Sequence, residues 1–405
     1  MRKKLGIVMA AAGGLIFVAL LVLRVLGLAR SVAGGFLQEI VLSEHIGIPL
    51  AMPFTLAALL VDAGAFLAAP RSMTRLREFM IFLIVFTAFA FMADASEVFL
   101  GWANLSAILL AVSLQAIIAI GMTVLLVSGG FDLSVGATAG LAGAAAALVL
   151  TRLCPFIPGP AVVGVALAIV VALAAGVSVG TANGLIVSRV GINPFITTLG
   201  MMQIVRGLLL LVTDGKNISD LPPAFTVIGQ GGVVLQTTVH SSGHTEVVSV
   251  QFPILISILL VAAGDLMLRR SRFFRQNYYI GGNEKAAILS GIRVDRMKVF
   301  NYAMTGLLAA AAGVIMTARL GSASVTAGRG LELQVITAVI IGGASLQGGE
   351  GTVLGAFLGT ILMAIIISAL TLLGINPNSQ ELIIGATLLL AVLADTLGKK
   401  RRGIL

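Results

Sequence analysis

Asp132 is the side chain of this sequence best placed to do chemistry away from water. It lies in Ser128-Gly129-Gly130-Phe131-Asp132-Leu133-Ser134-Val135-Gly136, a glycine-flanked break between two long apolar runs with no basic residue in it. An acid at or near membrane depth marks a solute or ion pathway, and glycine-broken helices line transporter paths. Gly130, Asp132, Ser134 and Gly136 are therefore candidate path residues. Asp132 also precedes an apolar helix, so capping that helix is an equal reading. A comparable junction runs from Gly342-Gly343 through Glu350 to Gly355 and leads into another helix rich in small residues.

A third segment carries a different signal. In Arg269–Ile292, the pair Gly281-Gly282 breaks the chain, Asn283 is a good N-cap and Glu284 complements the helix dipole. Ala286, Ala287, Ile288 and Leu289 propagate about two turns, Ser290 follows, and Gly291 stops them. A short helix with an apolar face and basic flanks reads either as an interfacial amphipathic helix or as a knob for a soluble partner.

Other chemistry is thinly represented. His240 and His244 stand four apart with Glu246 nearby, but Gly243 interrupts any helix that would align them as metal ligands, so no metal site is assigned. The glycine-rich lysine loop of nucleotide triphosphatases does not occur in the sequence. No nucleophile–base pairing is visible, and the single Cys154 cannot form an internal disulfide. The chain does not read as an enzyme.

These residues sit in a membrane protein. Of 405 residues, 58% are apolar and 11% charged, whereas soluble domains average about 25% charged. Forty-eight glycines suit close helix packing in lipid. Nineteen Phe, three Tyr and one Trp do not supply the girdles of a β-barrel. Apolar runs long enough to span about 30 Å are expected near 5–29, 48–69, 79–99, 105–127, 133–150, 161–187, 194–212, 252–268, 301–318, 333–345, 352–373 and 381–396. The 333–345 run is short enough to be a half-length element. Asp62 in 48–69 costs roughly 2.5–3.5 kcal/mol, and eight large apolar neighbours return roughly 4 kcal/mol.

Basic residues set the orientation. With the N-terminus inside, nineteen Lys and Arg fall on the inner side, eight of them between Arg269 and Lys298. Five fall outside: Arg30, Arg152, Lys216, Arg319 and Arg329. The bias supports twelve spans with both termini cytoplasmic, so the net charge of +9 is a topology signal and does not point to nucleic acid. Met1–Lys4 and its apolar run also resemble a secretory signal with a weak cleavage site at Ser31-Val32-Ala33. That run is long for a signal, so a retained span is expected. Spans 79–212 and 252–396 can be read as two five-helix halves of opposite sense, although the two glycine-rich junctions fall at different places in them.

Ser128–Gly136 is similar to the Gly-Gly-Ile-Asp-Leu-Ser-Val-Gly signature of ribose-type ABC transporter permeases. Asn193-Pro194-Phe195-Ile196-Thr197-Thr198-Leu199-Gly200, the Gly281–Ile292 loop, and Gly328-Arg329-Gly330-Leu331-Glu332-Leu333 with the Gly342-Gly343 junction resemble the same family in the same order. The resemblance covers about 79–398. It implies an all-α polytopic permease core of about ten helices (78–398); the two-helix extension (1–77), which the shorter ribose permeases lack, and a basic cytoplasmic tail (399–405) are read from the sequence itself. It further implies an inner-membrane importer subunit for a sugar or sugar-like solute. An external solute-binding protein would dock chiefly on 213–250, and a cytoplasmic ATP-binding subunit would bind ATP and Mg, leaving no cofactor in this chain. A second permease copy or homologue would complete the pair.

On that resemblance Gly281, Gly282, Asn283, Glu284, Ala286, Ala287, Ser290 and Gly291 form the coupling element. Asn193, Thr197, Thr198, Glu332, Gly342 and Gly343 join the path candidates. Gln334-Val335-Ile336-Thr337 departs from the family's usual Asp-Ala-Ile-Ala, which points away from ribose if that helix lines the path. The rival readings are an ion-gradient-driven carrier, a nucleoside importer and a membrane scaffold. Collapsing the proton gradient while ATP is maintained should leave uptake intact; loss of uptake would favour the ion-driven carrier, and no uptake by vesicles under any energisation would favour the scaffold.

Overall fold

The computed structural model describes Ala58 and residues 73–96, 98–154, 160–239 and 245–401. The expected spans at 5–29 and 48–69 (Ala58 apart), His240 and His244 lie outside the described residues. Among those described, thirteen helices and one hairpin follow in order. They are α1 (Met73–Ala95), α2 (Trp102–Val127), α3 (Val135–Leu148), α4 (Ala161–Leu185), α5 (Pro194–Thr213), α6 (Pro223–Gln230), β1 (Gly232–Val239), β2 (Thr245–Gln251) and α7 (Phe252–Arg270). Then come α8 (Arg272–Gly282), α9 (Glu284–Leu289), α10 (Val294–Leu320), α11 (Leu331–Ile341), α12 (Val353–Leu372) and α13 (Pro377–Arg401).

All ten expected spans from 79–99 onward coincide with helices. Among the described residues, seven helices are long and apolar enough to cross a bilayer: α2, α3 and α4 with the π-helical turns that extend them, α5, α7, α10 and α12. Shorter apolar stretches lie in α1, α11 and α13. The protein is thus a multi-pass, all-α membrane protein. The polar segment 213–250 also contains α6 and the antiparallel β1–β2 pair, with Gly232 opposite Gln251 and an irregularity at Val234/Gln236.

The described chain forms two compact units. In the smaller, α1 packs the ring of Phe89 edge-on against Phe99 at 5.2 Å. Ser368 of α12 donates to Asn104 Oδ1 at 2.9 Å, and Asn104 Nδ2 donates to the Phe99 carbonyl at 2.9 Å.

In the larger unit, α2 is the enclosed helix, with 83% of its apolar span buried against 22% for α5. Its Ile118, Met122 and Leu126 share a core with Ala309 and Ala312 of α10 and with Val335 and Val339 of α11. Helix α10 is the axis on which α3 and α4 lie. Gly176, Gly180 and Gly184 of α4, one every four residues, face Gly306, Tyr302 and Val299 in antiparallel sense. Small residues at that spacing let two backbones touch, gaining dispersion contacts that lipid cannot supply. A Cβ at Gly306 would fall on the Gly176 carbonyl, and one at Gly176 on the Gly306 carbonyl.

Helix α3 runs parallel to α10, with Gly143 against Thr317 and Gly313 against Ala139. Extrapolating that register sets the start of α3 level with the middle of α10, well inside the unit.

Because both atoms that a new Cβ would strike at the α4–α10 crossing are backbone, the side chains cannot yield. Gly306→Val should destabilise the purified protein by about 1–3 kcal/mol or more. Gly207→Ala on α5, where nothing lies within 4 Å, should leave the thermal midpoint unchanged. Equal midpoints for both variants would overturn the close-packed crossing.

Candidate functional site

Helix α2 ends in a Schellman arrangement: Gly130 N donates to the Leu125 carbonyl and Gly129 N to that of Leu126, both at 2.9 Å. Gly129 takes the left-handed conformation at φ +82 that this ending requires. The chain then turns through Asp132 into α3. Asp132 is 1% exposed; its Oδ1 accepts from the Ser134 backbone N at 2.7 Å and the Ser134 hydroxyl at 2.6 Å. Asn183 of α4 donates to both Asp132 oxygens at 3.3 Å and to Ser134 Oγ at 2.9 Å.

This sets the two readings of Asp132 against a geometry. The carboxylate satisfies donors at a helix start that water does not reach, where an unpaired N–H would cost about 1–3 kcal/mol. It is also stabilised by the positive end of the helix dipole. Tyr302 of α10 donates to the Phe131 carbonyl at 3.1 Å, with its hydroxyl 3.2 Å from where a Cβ of Gly130 would stand.

The second junction ends its helix in the same way. Ala344 N donates to the Val339 carbonyl at 3.1 Å and Gly343 N to that of Ile340 at 2.9 Å, with Gly343 at φ +91. Gly342 lies against the Gly355–Ala356 backbone at the start of α12. The two junctions then meet at α8. Gly349 N donates to the Val127 carbonyl, the last of α2, at 2.8 Å. Gly281 packs so closely on these two groups that a Cβ there would strike both the Val127 carbonyl and Gly349 N. Tyr278 donates to the Gly351 carbonyl at 2.7 Å. Asn301 of α10 donates to Asn277 Oδ1 at 2.8 Å and, more loosely, to Ser128 Oγ at 3.4 Å. Three chain segments thus cross backbone to backbone at one point.

A separate polar group gathers around α11. Helix α11 has only 11 residues, about 16 Å, and is therefore the half-length element expected. It starts beside α3: Gly136 faces the Glu332 carboxylate and the Gly328 carbonyl. Glu332 Oε1 lies 4.0 Å from Arg206 Nη2 of α5, while Glu332 Oε2 is buried with no hydrogen-bond partner. Gln115 donates to Gln334 Oε1 at 2.9 Å, and its own Oε1 is also unpartnered.

The remaining expected residues divide further. Asn193 caps α5, accepting from Phe195 N at 2.8 Å, and Thr198 donates to the Pro194 carbonyl at 2.8 Å. Thr197 is 7% exposed with its hydroxyl unpartnered. These three are not brought onto Asp132; the link is an edge-on contact between the rings of Phe131 and Phe195 at 6.3 Å.

The short helix α9 forms as its sequence requires. Asn283 Oδ1 accepts from Ala286 N at 3.0 Å, Ser290 donates to the Ala286 carbonyl at 2.8 Å, and Gly291 at φ +84 ends the helix. Lys298 Nζ pairs with Glu284 Oε1 at 2.7 Å, tying α9 to α10. Ala287 is buried, whereas Leu289 is 88% exposed. A Cβ at Gly282 would meet nothing within 4 Å, so of the glycine pair only Gly281 is sterically required.

Sequence reasoning missed the partners: Asn183, Asn277, Asn301, Tyr302, Arg206 and Gln115. The available signal was a polar side chain inside an apolar run. It also missed Asp265, which accepts from Leu354 N at 3.1 Å and pairs with Arg269 at 2.7 Å, fixing the start of α12.

A buried helix start, two glycine-sealed junctions that meet at α8 and an exposed short helix after it are set among membrane-spanning helices. Residues 104–392 match the family described as "Branched-chain amino acid transport system / permease component", and the chain belongs to that family. It is the membrane-spanning permease subunit of an ABC importer. The chain is 36% identical over 318 residues to the ribose import permease of Bacillus subtilis strain 168, covering 78% of this chain and 91% of that protein. It is 37% identical over 343 residues to the ribose import permease of Haemophilus influenzae Rd, covering 84% and 96%. With the galactose/methyl galactoside import permease of Escherichia coli K12 it shares 35% over 336 residues, covering 82% and 97%. No solved structure matches the chain.

The Asp132 geometry generates a stability prediction. Asp132→Ala strands the Ser134 N–H and Asn183 and should lower stability by about 1–3 kcal/mol. Asp132→Asn keeps an acceptor oxygen at the same place and should lose less than half of that. Thermal unfolding in detergent compares the two, and equal losses would refute the capping role.

Proposed function

We propose that this chain translocates a sugar or sugar-like solute, delivered by an external binding protein and driven by ATP hydrolysis in a separate cytoplasmic subunit. The observation that carries the substrate class is its similarity, over about four fifths of its length, to proteins named as ribose and galactose import permeases. The family description names branched-chain amino acids, but the relatives similar over most of the chain carry sugar names.

In this reading both termini are cytoplasmic, and α9 is the coupling element. Its outer face, Ile288 and Leu289, is 54% and 88% exposed and meets the ATP-binding subunit. The segment 213–250 receives the binding protein, and a second permease copy or homologue completes the pathway. Force on α9 reaches the membrane through α8, because Gly281 wedges between the end of α2 and the second junction. A shift of α8 therefore displaces the turn that carries Asp132 and the loop that carries Gly348 and Gly349. Glu332, Arg206, Gln115 and Gln334 are polar groups at depth that such a shift would rearrange. ATP and Mg belong to the partner subunit.

The test is reconstitution with the ATP-binding subunit that co-purifies and the binding protein. Ile288→Asp/Leu289→Asp should reduce binding-protein-stimulated ATP hydrolysis at least about tenfold with an unchanged unfolding temperature, since both side chains are exposed. Gly281→Ala should uncouple hydrolysis from uptake, and Gly282→Ala should not. Full stimulation in the double variant would refute the assignment of α9. Sugar uptake without any ATP-binding subunit would refute the importer mechanism.

A further inference from the structure

The polar segment 213–250 is fastened to a part of the chain that the proposed function leaves idle, the loop between α10 and α11. Between α5 and α6 the chain turns through Asp214 and Asp220, at φ +51 and +60, and the stretch between them pairs with that loop. Ile218 N donates to the Ala323 carbonyl at 3.0 Å and Ala323 N to that of Ile218 at 2.9 Å, a single antiparallel bridge. Asn217 Oδ1 accepts from Val325 N at 3.0 Å. Ala323 is buried, and Ile218 packs in the same core as Phe225 of α6 and Val314 and Ala318 of α10. Helix α6 is held as closely. A Cβ at Gly229 would strike the Arg319 backbone N, and Gln230 Nε2 donates to the Arg319 carbonyl at 3.0 Å. The base of the segment is thus fixed to the end of α10 and to the loop that follows it.

The far end of that loop lies on α3. A Cβ at Gly140 would come within 2.8 Å of the Ala327 carbonyl oxygen, and one at Gly328 would strike the Gly136 carbonyl. Gly136 stands in the first turn of α3, just beyond Asp132, and the Glu332 carboxylate abuts the same glycine. From another direction, Gly281 abuts the Val127 carbonyl, shortly before Asp132 in the chain. The start of α3 is therefore reached through backbone contacts along two routes. One runs from α8 through the end of α2; the other runs from the polar segment through the α10–α11 loop. Close-packed interiors are poorly compressible and pass a displacement on.

We infer that the α10–α11 loop, residues 321–330, relays docking of the binding protein on 213–250 to the start of α3, with Asn217 and the Ile218–Ala323 bridge as its points of attachment. Asn217 is then a positioning residue, acting through Val325. What docks on the segment rests on the proposed importer reading. The bridge and the seat of the loop on α3 belong to the permease alone.

The experiment uses the full chain reconstituted with the co-purifying ATP-binding subunit and titrates the binding protein against ATP hydrolysis. Asn217→Ala removes one acceptor from the attachment and should lower maximal stimulation about threefold, with the half-saturating concentration of binding protein unchanged. Asn217→Asp keeps an acceptor oxygen and should restore the stimulation. A raised half-saturating concentration with full maximal stimulation would make Asn217 a docking contact and overturn the relay, as would an unchanged titration. The bridge is tested by Ile218→Cys/Ala323→Cys in a Cys154→Ser background. Residues paired in this way stand about 5.5 Å apart at Cα, within disulfide range. Oxidation of the permease alone should therefore cross-link them, and the cross-linked complex should keep wild-type stimulation. No cross-link, or a cross-link that abolishes stimulation, would overturn the inference. A wild-type complex that its binding protein does not stimulate would refute the importer reading, and the relay with it. The cross-link on the permease alone does not depend on that reading, which separates the two failures.

Discussion

A helix that begins inside an apolar unit leaves its first N–H groups without water, and the larger unit is organised around meeting that constraint. Each unpaired donor in such surroundings costs kilocalories, so the chain can break helices there only where it supplies acceptors. One helix, α3, begins in the interior, and it carries an acid just before its start. Asp132 does the work directly, accepting from Ser134 and from Asn183 of a neighbouring helix. Glu332 stands in the first turn of α11 beside Arg206. At α3 the cost of breaking a helix is thus offset in part by an acid that would otherwise be expensive to bury, whereas Glu332 Oε2 has no hydrogen-bond partner.

The second consequence is steric. Interior breaks bring irregular backbone against irregular backbone, and side chains would hold the segments apart. Gly281 against the Val127 carbonyl and Gly349 shows what the absence of a Cβ achieves: one crossing joins α2, α8 and the α11–α12 loop. A contact made of backbone atoms is stiff, since no rotamer can absorb a displacement. The same close approach is why the Gly281 and Gly282 positions differ although the sequence pairs them, since a Cβ at Gly281 would strike backbone and one at Gly282 would meet nothing within 4 Å.

Much of this was legible in the chain itself. Ten apolar runs gave ten helices because about 20 apolar residues in succession have no other stable fate in lipid. Asn283, Glu284 and Gly291 announced α9 through capping chemistry that depends on neighbours three to five residues away. The hairpin β1–β2 and α6 are not announced, because segment 213–250 reads as one polar stretch. Nor could local pattern reveal that both glycine-rich junctions end their helices alike and then meet.

Sequence alone therefore determined the class of architecture, the helices and the capped ends, all of which follow from hydrophobicity and short-range hydrogen bonding. Tertiary structure decided what Asp132 touches, which glycine of the Gly281–Gly282 pair is indispensable, and that Asn193, Thr197 and Thr198 stand apart from the Asp132 cluster. Those questions concern residues tens to hundreds of positions apart. Asn183 lies 51 residues from Asp132, and Gln115 lies 219 from Gln334. Their meeting is set by how α2, α3, α4 and α11 pack on α10, a geometry that depends on close contacts between helices and leaves no trace in any single stretch of chain.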